Sequence, residues 1–216
     1  MARGETHFPV AKEGFIFIAG GALLTLLGTL LFGSGGGSLP GVFTLFSLWF
    51  FRDPHRRVPG EEGLIVSPAD GKIVDISRTE ESRFLKKPTI KISIFLNVFN
   101  VHVNRVPIAA KIAGVFYNKG RFFAANVPKA SLENEQNAVV LETPSGKRIL
   151  CIQIAGLIAR RIVCRIKEGD ILDRGERFGL IRFGSRVDLY LPIETEIKVS
   201  MGQKVLGGET VIGILR

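Results

Sequence analysis

The pair Gly184-Ser185 is the place in this chain where residue types and spacing could do covalent chemistry. It lies within RFGSRVDLYLP (182–192), flanked by the strand-like runs GLIRF and VDLYL. Most Gly-Ser pairs are turns, and spacing alone favours that bland reading. The alternative begins with the freedom of glycine to take backbone angles barred to other residues. That freedom would bring the Gly184 carbonyl within reach of the Ser185 hydroxyl. Attack of the hydroxyl on that carbonyl carbon exchanges the amide for an ester, an N→O acyl shift. Removal of the Ser185 α-proton then eliminates the ester to dehydroalanine, and hydrolysis leaves a pyruvoyl group and ammonia. A ketone at a chain terminus forms a Schiff base with a substrate amine and acts as the electron sink for decarboxylation.

Other reactive side chains offer less. His7, His55 and His102 are far apart and have no zinc-ligand spacing, so no metal is expected. Cys151 and Cys164 sit in the apolar runs ILCIQIAG and RIVCRI without CxxC spacing, and read as reduced thiols buried on strands. The pair Arg160-Arg161 suits a lipid phosphate or a solvated strand end equally well.

The elements that must position these residues fall into two textures. No charged residue occurs from Gly14 to Phe51, and seven of the 16 phenylalanines lie there. The first part, FIFIAGGALLTLLGTLLFG (15–33), is close to the ~20 residues a membrane-spanning helix needs. GSGGGSLPG then reads as a turn, and VFTLFSLWFF (42–51) as a second, shorter apolar helix. Glu5 and Glu13 fit a secretory signal poorly. The expectation is a hydrophobic helical hairpin over residues 1–58 that dips into or crosses a membrane. Trp49, Phe50 and Phe51 would be its interfacial anchor. The basic residues Arg52, His55, Arg56 and Arg57 behind them would keep the rest of the chain cytoplasmic.

From residue 59 to 216 the chain reads as short β runs cut by Gly and Pro, with a hairpin turn at TPSG (143–146). SLENEQNA (131–138) reads as a short helix or a loop. KEGDILDRGERFGLI (167–181) and SMGQKVLGGETVIGI (200–214) form an internal repeat, with Gly169 over Gly202, Gly175 over Gly208 and Glu176 over Glu209. With the strand–turn–strand SPADGKIVDI (67–76), the repeat resembles a biotinyl/lipoyl-type β-sandwich without the carrier lysine. The fold expected is therefore mainly β, a compact sandwich or barrel-like domain behind the hydrophobic hairpin.

Composition excludes a disordered chain, with 46% hydrophobic and 23% charged residues. The net charge of +9 suits an anionic partner. The basic residues are dispersed and carry no nucleic-acid motif, so the apolar N-terminus favours phospholipid.

Five blocks, in order, resemble the phosphatidylserine decarboxylases, in particular their short bacterial and archaeal form. They are WFFRDPHRRVPGEEGLIVSPADGKIV, LNVFNVHVNRVP, GRFFAANVPKASLENEQNAV, QIAGLIARRI and RFGSRVDLYLP. The resemblance implies self-cleavage between Gly184 and Ser185 into a β chain (1–184) and an α chain (185–216). It also implies a covalent pyruvate made from Ser185, without pyridoxal phosphate or metal. The implied reaction is conversion of phosphatidylserine to phosphatidylethanolamine at the cell membrane. The two chains would stay together as a heterodimer, and higher assembly is left open. By the same resemblance Asp70 and His102 activate Ser185, His102 as base and Asp70 as the group that fixes and stabilises the imidazole. Longer relatives carry a second histidine where this chain has Arg105, and Leu-Gly-Ser-Thr where it has Phe183-Gly184-Ser185-Arg186. A substrate-binding role for Arg105 is one expectation. Two other readings stand beside this one, a pyruvoyl decarboxylase of a soluble amino acid and a non-enzymatic membrane adaptor carrying a lipoyl-like module.

Overall fold

The computed structural model describes residues 9–120, 134–156, 161–182 and 185–215. It divides into two compact units, Met1–His55 and Arg56–Arg216.

The first unit is helical. A 3-10 turn (Lys12–Gly14) leads into α1 (Phe15–Phe50), which Gly33 interrupts with φ +70° and ψ −167°. This left-handed angle, open to glycine, reverses the chain. The arms 15–32 and 34–50 then run back along each other. A Cβ at Gly28 would collide with the Gly36 carbonyl, one at Gly37 with the Thr29 hydroxyl, and one at Gly21 with the Thr44 hydroxyl. Small residues thus let the arms approach closely. The hydroxyls of Thr25, Thr29, Thr44 and Ser47 donate to carbonyls four residues back, so none needs an outside partner. Across the open end, Ala11 N–H donates to Phe51 O (2.8 Å) and Asp53 N–H to Pro9 O (2.7 Å). Leu23, Leu30, Leu31, Phe32 and Leu39 project outward. Residues 12–50 are long and apolar enough to cross a membrane. The expected turn over GSGGGSLPG (33–41) is corrected in extent: the reversal is confined to Gly33, and residues 34–41 belong to the second arm, where Gly36 and Gly37 make the close contact.

The second unit is antiparallel β. A curled sheet of eight strands runs in the order β13 (Lys204–Val205), β2 (Gly71–Glu81), β3 (Lys87–Leu96), β11 (Ser185–Pro192), β7 (Arg148–Ala155), β6 (Gln136–Glu142), β5 (Ala110–Asn118), β9 (Ile171–Leu172). Two three-stranded sheets accompany it. One is β1 (Leu64–Val66), β14 (Val211–Ile214) and β12 (Glu196–Ile197), with β14 central. The other is β4 (Val103–Arg105), β10 (Arg177–Ile181) and β8 (Ile162–Cys164), with β10 central. Period-two alternation sends Val187, Leu189 and Leu191 of β11 into the main core opposite Ile94, Ile92 and Ile90 of β3. The other face of β6 and β7 buries Ala138, Val140, Leu150, Ile152 and Ile154 beneath Phe84 and Leu85. The turn at 143–146 joins β6 to β7, with Gly146 at φ +76°. The reading of 131–138 as helix or loop is corrected in part: Gln136, Asn137 and Ala138 open β6, and 131–133 lie outside the described residues.

The repeat is a pseudo-twofold in three dimensions. Gly175 N–H donates to Val106 O and Gly208 N–H to Ser67 O, both at 2.8 Å. Gly169 N–H donates to Ile112 O and Gly202 N–H to Ile73 O, both at 2.9 Å. VPIAAKI (106–112) is therefore the counterpart of SPADGKI (67–73). The two copies also cross-link in matching fashion, Val66 N–H to Pro107 O (2.8 Å) and Arg105 N–H to Pro68 O (2.9 Å). Both long strands carry an irregularity at the equivalent place, between Ile73 and Asp75 in β2 and between Ile112 and Gly114 in β5.

Candidate active site

Asp70 is where the two copies differ in chemistry, since its counterpart is Ala109. The turn that carries it is held by Ser67, whose hydroxyl donates to Ala69 O (2.6 Å). Asp70 Oδ1 accepts from Gly207 N–H and Oδ2 from Arg56 Nη2, both at 2.7 Å. The Asp70 and Arg56 side chains are each only 8% exposed. Arg56 Nη1 also lies 3.8 Å from Glu209 Oε2.

His102 follows the end of β3 through an asparagine turn. Asn97 Oδ1 accepts from Phe99 N–H and Asn100 Oδ1 from Asn97 N–H, each at 2.9 Å. The turn aims the Asn100 carbonyl at the imidazole, 2.9 Å from Nδ1. A carbonyl only accepts, so Nδ1 carries the hydrogen and Nε2 the lone pair. The ring is fully buried. The expectation that Asp70 fixes this tautomer is corrected, because the Nδ1 hydrogen is directed to Asn100 O.

Ser185 opens β11 between Leu96 of β3 and Ala155 of β7. It is fully buried, and its Oγ has no hydrogen-bond partner among the described residues. Gly184 lies outside the described residues. Three strand ends meet here. Lys72, two residues after Asp70, pairs with Phe95, and Ser185 pairs with Leu96 on the other side of β3. Asp70 and Ser185 therefore flank the end of β3 at two strand spacings, about 10 Å. His102 stands between them in connectivity: Arg105 N–H donates to Pro68 O in the Asp70 turn, and Ile181 N–H to His102 O (3.3 Å) just ahead of the Ser185 segment.

Neighbouring residues complete the surroundings. Arg105 is buried, its Nη1 donates to Gly175 O (3.0 Å), and its Cδ lies where a Cβ on Gly208 would have to go. It bridges the equivalent glycines of the two repeat copies, which is a structural use. Arg186, which follows the serine, sits on the opposite face of β11, its Nε 2.8 Å from Asp188 Oδ1. Asn134 Nδ2 donates to Ala155 O (2.7 Å), and Glu135 accepts from Tyr117 OH (2.8 Å) and Ile162 N–H (3.2 Å). Burial, and after it the bond to Glu135, raise the Tyr117 phenol above its ordinary pKa. Arg160 lies outside the described residues.

Sequence reasoning missed two features of this site. In the sequence Arg56 reads as part of a basic membrane border, whereas its guanidinium pairs with Asp70. Glu135 and Asn134 are the second; their signal in the sequence is a run of three amides and two carboxylates, ENEQN, leading into an apolar strand.

The family model described as phosphatidylserine decarboxylase matches residues 43–213. The phosphatidylserine decarboxylase proenzyme of Syntrophus aciditrophicus is 52% identical over 205 residues, covering 94% of this chain and 96% of that protein. That of Citrifermentans bemidjiense is 52% identical over 217 residues, covering 98% and 99%. That of Syntrophotalea carbinolica is 53% identical over 208 residues, covering 96% and 97%. With a family model matching most of the chain and relatives of this identity along nearly its whole length, the chain belongs to the phosphatidylserine decarboxylase family.

Proposed function

We propose that this protein is a self-processing decarboxylase that converts phosphatidylserine to phosphatidylethanolamine and carbon dioxide. Beside family membership, the observation that carries this reading is Ser185: a fully buried hydroxyl at the head of a strand, its Oγ unspent among the described residues. Such a group fits the precursor of a pyruvoyl terminus. Its Oγ adds to the Gly184 carbonyl carbon while its proton passes to His102 Nε2, and the peptide nitrogen leaves with a proton. Loss of the Ser185 α-proton then expels Gly184 as a carboxylate. The dehydroalanine left behind takes up water and releases ammonia. The resulting ketone supplies an electrophile for the serine amine of the headgroup and a sink for the electron pair freed with carbon dioxide.

His102 is the base in this scheme, its Nδ1 hydrogen directed to Asn100 so that Nε2 carries the lone pair a base needs. Asp70 contributes negative charge beside the β3 end, held in place by Arg56 and Gly207. Cleavage yields a β chain of residues 1–184 and an α chain of 185–216 that remain joined through β11, paired on both sides with β-chain strands. The apolar helix of the first unit anchors the protein in the cell membrane, where the diacyl substrate resides, and the basic residues after it favour the cytoplasmic side.

Intact mass tests the processing, and carbon dioxide release from carboxyl-labelled phosphatidylserine in mixed micelles tests the reaction. The expected result is an α chain with a ketone at residue 185 and release without added pyridoxal phosphate. A wild-type protein that stays whole after membrane reconstitution refutes self-processing. Faster release from free serine than from the lipid refutes the substrate.

A further inference from the structure

Three amide side chains lie inside the apolar core of the second unit, and none is explained by packing. Asn104 and Gln153 are 0% exposed and Asn137 is 1% exposed. They form a directed chain across β6, β7 and β4. Asn137 Nδ2 donates to Gln153 Oε1, and Gln153 Nε2 donates to Asn104 Oδ1, both at 2.8 Å. Gly179, the register partner of Asn104, leaves room for the second bond, since a Cβ there would stand 2.9 Å from Gln153 Nε2. The chain ends on Asn104 Nδ2, a buried donor with no hydrogen-bond partner among the described residues. Leaving such a donor unmet costs stability, so its presence calls for a use. Donation along the series also polarises the terminal amide.

The position of this donor points to Ser185. Asn104 is two residues beyond His102. Gln153 is two residues before Ala155, the register partner of Ser185. Gln153 itself pairs with Val187, and Val187 and Ser185 share one face of β11. Two unspent hydrogen-bonding groups, Asn104 Nδ2 and Ser185 Oγ, thus lie on the same buried side of the sheet around Gln153.

We propose that Asn104 Nδ2 is the hydrogen-bond donor to the Gly184 carbonyl oxygen during self-cleavage, and that Gln153 is the residue that positions it. This rests on the reading of Ser185 as the self-cleaving nucleophile. When Oγ bonds to the carbonyl carbon, the carbonyl π pair moves onto oxygen and the hydroxyl proton moves to His102. The charge on that oxygen, two bonds from Ser185 N, meets the Asn104 amide. As the C–N bond breaks, the pair returns to carbonyl, the nitrogen takes a proton, and the ester remains. Asn104 neither gains nor loses a proton.

The test is the rate of self-cleavage of newly made full-length protein, read on denaturing gels, for wild type, Asn104→Asp, Asn104→Ala and Gln153→Ala. Asn104→Asp keeps an oxygen that accepts from Gln153 and replaces the donor with a second carboxylate oxygen, which cannot donate to the Gly184 oxygen. Loss of one such donor lowers the rate about 100- to 1000-fold, and the same is expected of Asn104→Ala, with a smaller loss for Gln153→Ala. Because the ester fails to form, neutral hydroxylamine should release no fragment from these variants. A merely structural defect would instead lower the melting temperature in step with the loss of cleavage. If Asn104→Asp does not fold, Asn104→Ala carries the test. A folded variant that cleaves within threefold of wild type, or one that accumulates a hydroxylamine-sensitive ester, overturns the proposal. If wild type itself stays whole, the reading of Ser185 fails instead.

Discussion

Arg56 and Asp70 form a buried ion pair, Nη2 to Oδ2 at 2.7 Å, in which the second carboxylate oxygen is held by the backbone of Gly207. The segment just after the hydrophobic N-terminus is thereby tied to the turn where the two repeat copies differ. Removing one partner of a buried pair leaves the other charge without compensation, at a cost of about 3–5 kcal/mol. Arg56→Met should therefore lower the melting temperature and slow self-cleavage. The double variant Arg56→Met/Asp70→Leu should recover much of the stability but not the cleavage. Calorimetry with a cleavage time course checks both parts.

The histidine geometry separates two contributions to the base. His102→Ala removes the lone pair at Nε2 and should abolish cleavage. Asp70→Asn keeps an acceptor for Gly207 but removes the charge paired with Arg56, so it should slow cleavage and lower the melting temperature while the Asn100 carbonyl still holds the imidazole. Fragment formation over hours, with His55→Ala as a control that processes normally, distinguishes these outcomes.

The hairpin of the first unit makes a prediction about glycines that look alike in sequence. Gly28→Leu would drive a side chain into the Gly36 carbonyl and separate the arms, whereas Gly20 has nothing within 4 Å of its added Cβ. A Gly21→Cys/Thr44→Cys pair should form an inter-arm disulfide in the Gly20→Leu background and fail to do so with Gly28→Leu. Gel mobility with and without reductant measures this. Equal cross-linking in both would show that the arms do not meet through these small residues.

The two thiols should differ in reactivity. Burial, and then the nearby Asp188 charge, push the Cys151 thiol well above its ordinary pKa, while Cys164 is only partly buried. Alkylation of native protein at mildly alkaline pH should label Cys164 and spare Cys151 until denaturant is added, as peptide mass mapping would show.

What the sequence determined by itself was local or carried by order along the chain. The uncharged run from Gly14 to Phe51 required an apolar environment, and periodic β runs between Gly and Pro required a mainly β domain. The blocks around Asp70, His102 and Ser185 pointed to a family and its chemistry. The half of the repeat with spaced Gly and Gly-Glu was legible. Its other half was not, because SPADGKI and VPIAAKI share few side chains and become equivalent only through matching backbone hydrogen bonds. Tertiary structure alone decided where buried charge and amides end up. Arg56 beside Asp70, Asn100 behind His102 and the series Asn137, Gln153, Asn104 each join residues distant in sequence or direct a backbone carbonyl, and neither leaves a periodic trace. The turn of the hairpin was decided likewise: four glycines in GSGGG are equally able to reverse the chain, and only the close fit of one arm on the other selects Gly33.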